Sequence, residues 1–144
     1  DQKMSKKILI INGPNLNLLH QRQQDIYGSI SLAEIKQSCQ KIAQELGFEL
    51  VFIQSNDEGE IITQIQDAVD KFDAIIINAA AYTHTSVAIR DALEIFPKTK
   101  VEIHLSNIYK REEFRHKSLL SDVVDGVICG FGSKSYYLAL QSLE

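Results

Sequence analysis

Val101-Glu102-Ile103-His104-Leu105-Ser106-Asn107 is an apolar, strand-like run that stops abruptly in groups able to do chemistry. Two other stretches have the same form. Lys7 to Ile11 is continuously aliphatic and leads into Asn12-Gly13-Pro14-Asn15-Leu16-Asn17. Ala74-Ile75-Ile76-Ile77-Asn78 leads on to Tyr82-Thr83-His84-Thr85-Ser86. Strands buried on both faces of a parallel sheet are near-continuous aliphatic runs. In an open parallel sheet, ligands bind outside the carboxyl ends of the strands. Three such runs ending in Asn, His and Ser therefore suggest an active site at the carboxyl ends of the strands.

The segments between these runs are helical in period. Ser31-Leu32-Ala33-Glu34 is a capping box. Behind it Leu32, Ile35, Cys39, Ile42 and Leu46 keep a helical spacing, and Gly47 supplies the stop. Phe48 to Ile53 reads as the second strand, and Ile61 to Phe72 carries a second amphipathic helix. Another helix is expected from about Ser86 to Phe96, closed by Pro97. Ala74 to Ile77 and Val101 to Leu105 supply the third and fourth strands. Gly126 to Cys129 reads as a short fifth strand and Ser133 to Leu143 as a last helix. Leu16 to Ile30 has no clean period and reads as a long loop, the kind that often serves as a lid. Ser106 to about Asp125 reads as a second, charge-rich loop. Strands alternating with helices and joined by right-handed crossovers give an α/β fold. The expected arrangement is a flavodoxin-like, doubly wound, five-stranded parallel sheet of order 2-1-3-4-5 with helices on both faces.

At 144 residues the chain is expected to form a single catalytic domain, 1–144, with a core of ordinary size. Residues 1–4 are expected to be a disordered N-terminus or a remnant of expression. A net charge of −4 argues against non-specific nucleic-acid binding, which needs a basic surface. No apolar run approaches the ~20 residues of a membrane span, and no signal peptide is visible. Cys39 and Cys129 sit in apolar contexts without metal spacing. They read as buried reduced thiols, which fits a cytoplasmic protein.

Several cofactor sites are set aside on spacing. No Gly-x-Gly-x-x-Gly follows the first strand. Gly130-Phe131-Gly132-Ser133-Lys134-Ser135 lacks the glycine before lysine of a phosphate loop and reads as a helix-start turn. His20, His84, His104 and His116 show no paired ligand spacing, so no metal is expected. No lysine is placed for a Schiff base.

The residues that remain suit proton transfer. Glu102 and His104 are two apart on a strand, so both side chains leave the same face. A carboxylate beside an imidazole fixes its tautomer and supports its protonated form, as a general acid requires. A hydrogen-bonded core histidine is the alternative. Tyr27 lies in the lid, five residues after Arg22. A free tyrosine ionises near ~10, and a nearby guanidinium favours the phenolate. Only four arginines occur, and Arg22, Arg111 and Arg115 fall in the loops assigned to the site. Arginine suits planar anions, although Arg111-Glu112-Glu113-Phe114-Arg115 also reads as a solvated charged turn. The set suits proton abstraction and donation on a small, hydroxylated, anionic substrate. A flavodoxin-like binding protein for small carboxylates, without catalysis, is one alternative. A lyase or isomerase of another polyhydroxy acid is the other.

Taken in order, the motifs carry a resemblance. They are Asn12-Gly-Pro-Asn-Leu-Asn-Leu-Leu19, Tyr27-Gly28, Gln54-Ser-Asn56 with Glu58-Gly59, and Tyr82-Thr-His-Thr-Ser-Val-Ala-Ile-Arg-Asp-Ala92. Glu102-Ile-His-Leu-Ser-Asn107, Arg111-Glu-Glu-Phe-Arg115 and Gly126-Val-Ile-Cys-Gly130 complete the set. The chain resembles the type II 3-dehydroquinate dehydratases from Ile8 to about Leu143. The resemblance implies cofactor-free, reversible anti-elimination of water from 3-dehydroquinate in the shikimate pathway of aromatic amino acid biosynthesis. It implies Tyr27 as the base, Arg22 favouring its phenolate, Asn15 holding a water against the enolate, and His104 as the acid oriented by Glu102. Asn78 with the backbone of Leu105 and Ser106 would take the carboxylate, His84 and Arg115 the ring hydroxyls. Arg111 matches a family arginine near the tyrosine. Asp91 would reach a neighbouring subunit's site, since the family usually assembles as a homododecamer of four trimers. The chain departs from the family pattern at His20, at Gln23-Gln24 in place of Glu-Pro, and at Ala79-Ala80 in place of Pro-Gly.

Overall fold

The computed structural model describes residues 5–144, so the expectation for residues 1–4 lies outside the described residues. Its five strands are β1 (Lys7–Asn12), β2 (Glu49–Gln54), β3 (Ala74–Asn78), β4 (Thr99–His104) and β5 (Gly126–Cys129). They form one parallel sheet of order 2-1-3-4-5. The helices are α1 (Gln24–Tyr27), α2 (Leu32–Leu46), α3 (Glu58–Ala68), α4 (Val87–Ile95) and α5 (Lys134–Ser142).

Strand alternation sorts the aliphatic side chains into two layers. Ile8, Ile10, Ile76, Val101 and Ile103 pack toward α2 and α5. Leu9, Ile11, Ile75 and Ile77 pack toward α3 and α4 with Ile61, Ile65, Ile89 and Leu93. Because Val101, Ile103 and Leu105 take the first side, Glu102 and His104 are turned to the second, with no exposure at Glu102 and 5% at His104. Helix starts match the local chemistry. The Ser31 hydroxyl accepts from Glu34 N and the Glu34 carboxylate accepts from Ser31 N, the reciprocal bonds of a capping box. Asp57 and Ser86 cap α3 and α4 in the same sense.

β1 and β3 run side by side with Asn12 opposite Asn78, and their connections leave to opposite faces. This switch point is held by a close approach of the two chains beyond the strand ends. Gly13 N donates to Asn78 O at 2.8 Å, and a Cβ built at Gly13 would lie 2.4 Å from the Ala79 carbonyl oxygen. Only glycine fits at Gly13 without parting the strands.

Three expectations are corrected. The segment from Leu16 to Ile30 is not one loop: it holds a 3-10 helix, Leu16–Gln21, and the single turn of α1. Leu16, Leu19 and Tyr27 are buried there, so the segment is anchored through apolar side chains that follow no regular period. The stretch from Ser106 to Asp125 is likewise broken into three 3-10 turns, Ile108–Lys110, Glu113–Arg115 and Ser121–Val123. Cys39 is buried, whereas Cys129 is only half-buried, because β5 is an edge strand whose side chains are incompletely covered.

Candidate active site

A cleft of about 130 Å³ opens at the carboxyl ends of β1, β3 and β4. Asn15, Arg22, Tyr27, Asn78, His84, His104, Leu105, Ser106, Arg111 and Arg115 all line it. Three arginines and two histidines face this space, and none of the lining residues is a carboxylate. That balance favours an anionic ligand. Glu102 lies behind His104, and Asp91 lies exposed on α4, outside the cleft.

Tyr27 ends the short α1 helix and is 7% exposed. Arg22 donates from Nη2 to the Tyr27 hydroxyl oxygen at 2.8 Å, and its guanidinium carbon stands 4.1 Å from the ring centroid. The Arg111 guanidinium stands 5.0 Å from the same centroid. Two guanidinium groups thus face one phenol. Arg111 Nε is buried without a hydrogen-bond partner.

Across the cleft, His104 Nε2 is 2.6 Å from Glu102 Oε2. Burial by itself pushes the Glu102 carboxyl up. The hydrogen bond and charge of His104, with the hydroxyls of Ser121 and Ser118, outweigh it and hold the group below the usual carboxylate range. An ionised Glu102 makes Nε2 a donor and leaves Nδ1 as the nitrogen with no partner among the described residues. The His84 ring lies 6.4 Å from that of His104. Burial pulls His84 below its ordinary value, against the opposing hydrogen bond to Lys117 O. Its Nδ1 is 2.8 Å from that carbonyl, so Nδ1 carries the proton and Nε2 is left as an acceptor.

Some residues that shape the site carry no sequence motif. Tyr136 of α5 is wholly buried beneath the strand ends. It accepts from Asn78 Nδ2 at 3.0 Å and donates to Asn12 Oδ1 at 2.6 Å. Burial pushes its phenol upward, so it stays neutral as the link requires. Asn15 adopts a left-handed conformation, φ 68°, and its N–H donates to Asn56 Oδ1. Tyr82 in turn donates to Asn56 O at 2.7 Å. A buried tyrosine needs a partner for its hydroxyl, and that rule alone could have marked Tyr136. Ala80 also lines the cleft and sits at φ 53°, a region that favours glycine.

Comparison with known proteins shows the family and the fold. The family model described as "Dehydroquinase class II" matches residues 6–144. A protein of Prochlorococcus marinus (strain NATL1A) named 3-dehydroquinate dehydratase is 57% identical over 136 residues, 94% of each chain. The crystal structure of type II dehydroquinase from Propionibacterium acnes superposes with a TM-score of 0.94 at 40% identity, covering 99% of this chain and 98% of that one. The type II dehydroquinase from Butyrivibrio crossotus DSM 2876 gives a TM-score of 0.95 at 44% identity, covering 96% and 97%. Among the described residues, no group of three or more His, Cys, Asp or Glu side chains could hold a metal ion, and no helix is long and apolar enough to cross a membrane.

Proposed function

The chain belongs to the class II dehydroquinase family, and from that premise we propose that it is a 3-dehydroquinate dehydratase using Tyr27 as base and His104 as acid. One observation carries the assignment of roles. The Arg22–Tyr27 contact at 2.8 Å and the Glu102–His104 contact at 2.6 Å bring a phenol paired with a guanidinium and an imidazole paired with a carboxylate to one small cleft. A binding protein for carboxylates would use the arginines but has no need of both pairs.

The Tyr27 phenolate removes a proton from C2, and the electron pair moves to the adjacent ketone oxygen as an enolate. That charge must be stabilised where it forms. A water held by Asn15 does so. The enolate then re-forms its carbonyl as a C1–C2 double bond develops and the C1 hydroxyl leaves. Expulsion of hydroxide needs an acid within hydrogen-bond reach. His104 gives its proton, so the group departs as water, and both side chains afterwards return to their starting states by exchange with solvent. Acid and base act from opposite faces of the ring, which makes the elimination anti. Asn78 and the Leu105–Ser106 backbone hold the carboxylate. His84 and Arg115 hold the ring hydroxyls, and Arg111 joins Arg22 in favouring the phenolate. The exposed stretch around Gln23-Gln24-Asp25 closes over the substrate and excludes water, while Leu16, Leu19 and Tyr27 stay anchored.

The chain works as one catalytic domain, without a cofactor, in the cytoplasm, within the shikimate pathway. It assembles as a homododecamer of four trimers in which Asp91 reaches the site of a neighbour. The test is ultraviolet absorbance after the protein meets 3-dehydroquinate. The conjugated enone of 3-dehydroshikimate should appear at a rate unchanged by borohydride pretreatment or by a chelator. Folded protein that produces no rise would remove the assignment.

A further inference from the structure

We propose that Ser118 and Ser121 are positioning residues of the acid half-site, a two-hydroxyl clamp that keeps Glu102 ionised and so holds His104 in its proton-donating form. The inference rests on the role just assigned to His104.

Glu102 is fully buried, and its two carboxylate oxygens accept three hydrogen bonds. Oε2 takes His104 Nε2 and the Ser118 hydroxyl, the latter at 2.9 Å, while Oε1 takes the Ser121 hydroxyl at 2.7 Å. Ser118 has no choice of direction. Its oxygen already accepts from Leu120 N at 3.0 Å and Ser121 N at 3.1 Å, which occupies both acceptor positions. The hydroxyl proton is left to point at Glu102. A proton on that oxygen of Glu102 would face two donors, so the surrounding bonds select the carboxylate.

The serines come from a strap that ties several parts of the site together. Lys117 O holds the His84 ring, Leu119 N donates to Thr83 O at 2.8 Å, and Leu119 O accepts from Arg90. The strap covers the face of β4 carrying Glu102. A neutral carboxyl there would no longer offer His104 Nε2 a charged acceptor, and the imidazole would give up its proton more readily. The other titratable groups around the pair are His84 and Arg115, Tyr27 with Arg22 and Arg111, and Cys129, which faces His104 in the sheet register. Among the described residues, the hydrogen-bond partners of the Glu102 carboxylate are the two serines and His104.

The experiment compares Ser121→Ala, the Ser118→Ala/Ser121→Ala pair and Ser121→Thr with the unmodified protein. Ser121 accepts no backbone bond through its hydroxyl, so its alanine variant leaves the turn intact; it decides the matter if the pair fails to fold. The readouts are kcat and KM across pH, and the titration of the His104 ring followed by NMR without substrate. The clamp predicts a loss of about tenfold in kcat with KM within about twofold. It also predicts that the limb where activity falls with rising pH, and the titration of the coupled Glu102–His104 pair seen at the ring, both move from their positions in the unmodified protein. Ser121→Thr, which keeps the hydroxyl, should return to near the unmodified profile. An unchanged limb and titration would overturn the clamp, as would a kcat loss equal at all pH. If the unmodified protein did not dehydrate the substrate, the role of His104 would fall, while the NMR titration would still judge the clamp.

Discussion

Ala80→Gly should stabilise this protein, although glycine substitutions generally do the reverse. Ala80 sits at φ 53° immediately beyond β3, where its amide makes a long 3.3 Å bond to Asn78 Oδ1. A left-handed conformation costs an L-residue with a Cβ about 1–2 kcal/mol. Glycine removes that strain but makes the unfolded chain freer by roughly 0.4–1 kcal/mol. The difference is a gain of about 1 kcal/mol, or about 3 °C in melting temperature for a domain of this size. The adjacent Ala81 is an internal control: it is exposed, lies in the same 3-10 helix and is not at positive φ. Ala81→Gly should lose about 0.5–1 kcal/mol. The assay is urea and thermal unfolding of both variants at one fixed protein concentration, because self-association shifts apparent stability. If Ala80→Gly were destabilised as much as Ala81→Gly, strain at Ala80 would be refuted.

Gly13→Ala should lose about 3 kcal/mol in urea unfolding, because a methyl 2.4 Å from Ala79 O must push apart two chains bonded through Gly13 N and Asn78 O. A loss under about 1 kcal/mol would show that the switch point yields easily. Glu102→Gln should be less stable than the unmodified protein at pH 7. The Glu102 carboxyl is held low, so its contribution is complete above the unfolded value near ~4.3 and fades as pH falls through the folded value. The gap between the two proteins should therefore narrow on acidification below about pH 4.3; a constant gap would contradict the assignment of charge. Burial pushes the Cys39 thiol up to about 12, so it should resist a thiol-specific reagent at pH 8 until the protein unfolds. Two thiols labelled per native chain would contradict this.

The fold was legible because its strands are extreme in composition. Ile8 to Ile11 and Ala74 to Ile77 have no polar residue, and only a strand covered on both faces suits them. The Glu102–His104 pair was legible for an equally local reason, the two-residue period of a strand, and it meets at 2.6 Å. What escaped is non-local or irregular. Ser118 and Ser121 reach Glu102 from 16 and 19 residues away, and Tyr136 reaches Asn12 across 124, separations that no local pattern encodes. The turns within 16–30 and 106–125 are set by isolated anchors such as Leu19, Tyr27 and Ile108, not by a periodic face. Asp91 lies outside the cleft of its own chain, so the role proposed for it requires the proposed assembly.

If Tyr27, held by Arg22, is the base, its hydroxyl is indispensable to turnover. The decisive quantity is kcat of Tyr27→Phe, read as enone absorbance on protein shown to unfold at the normal temperature. A positioned base contributes about 10²–10⁴-fold, so kcat should fall about 10³-fold while the fold survives. A variant within tenfold of the unmodified protein would remove Tyr27 from the chemistry.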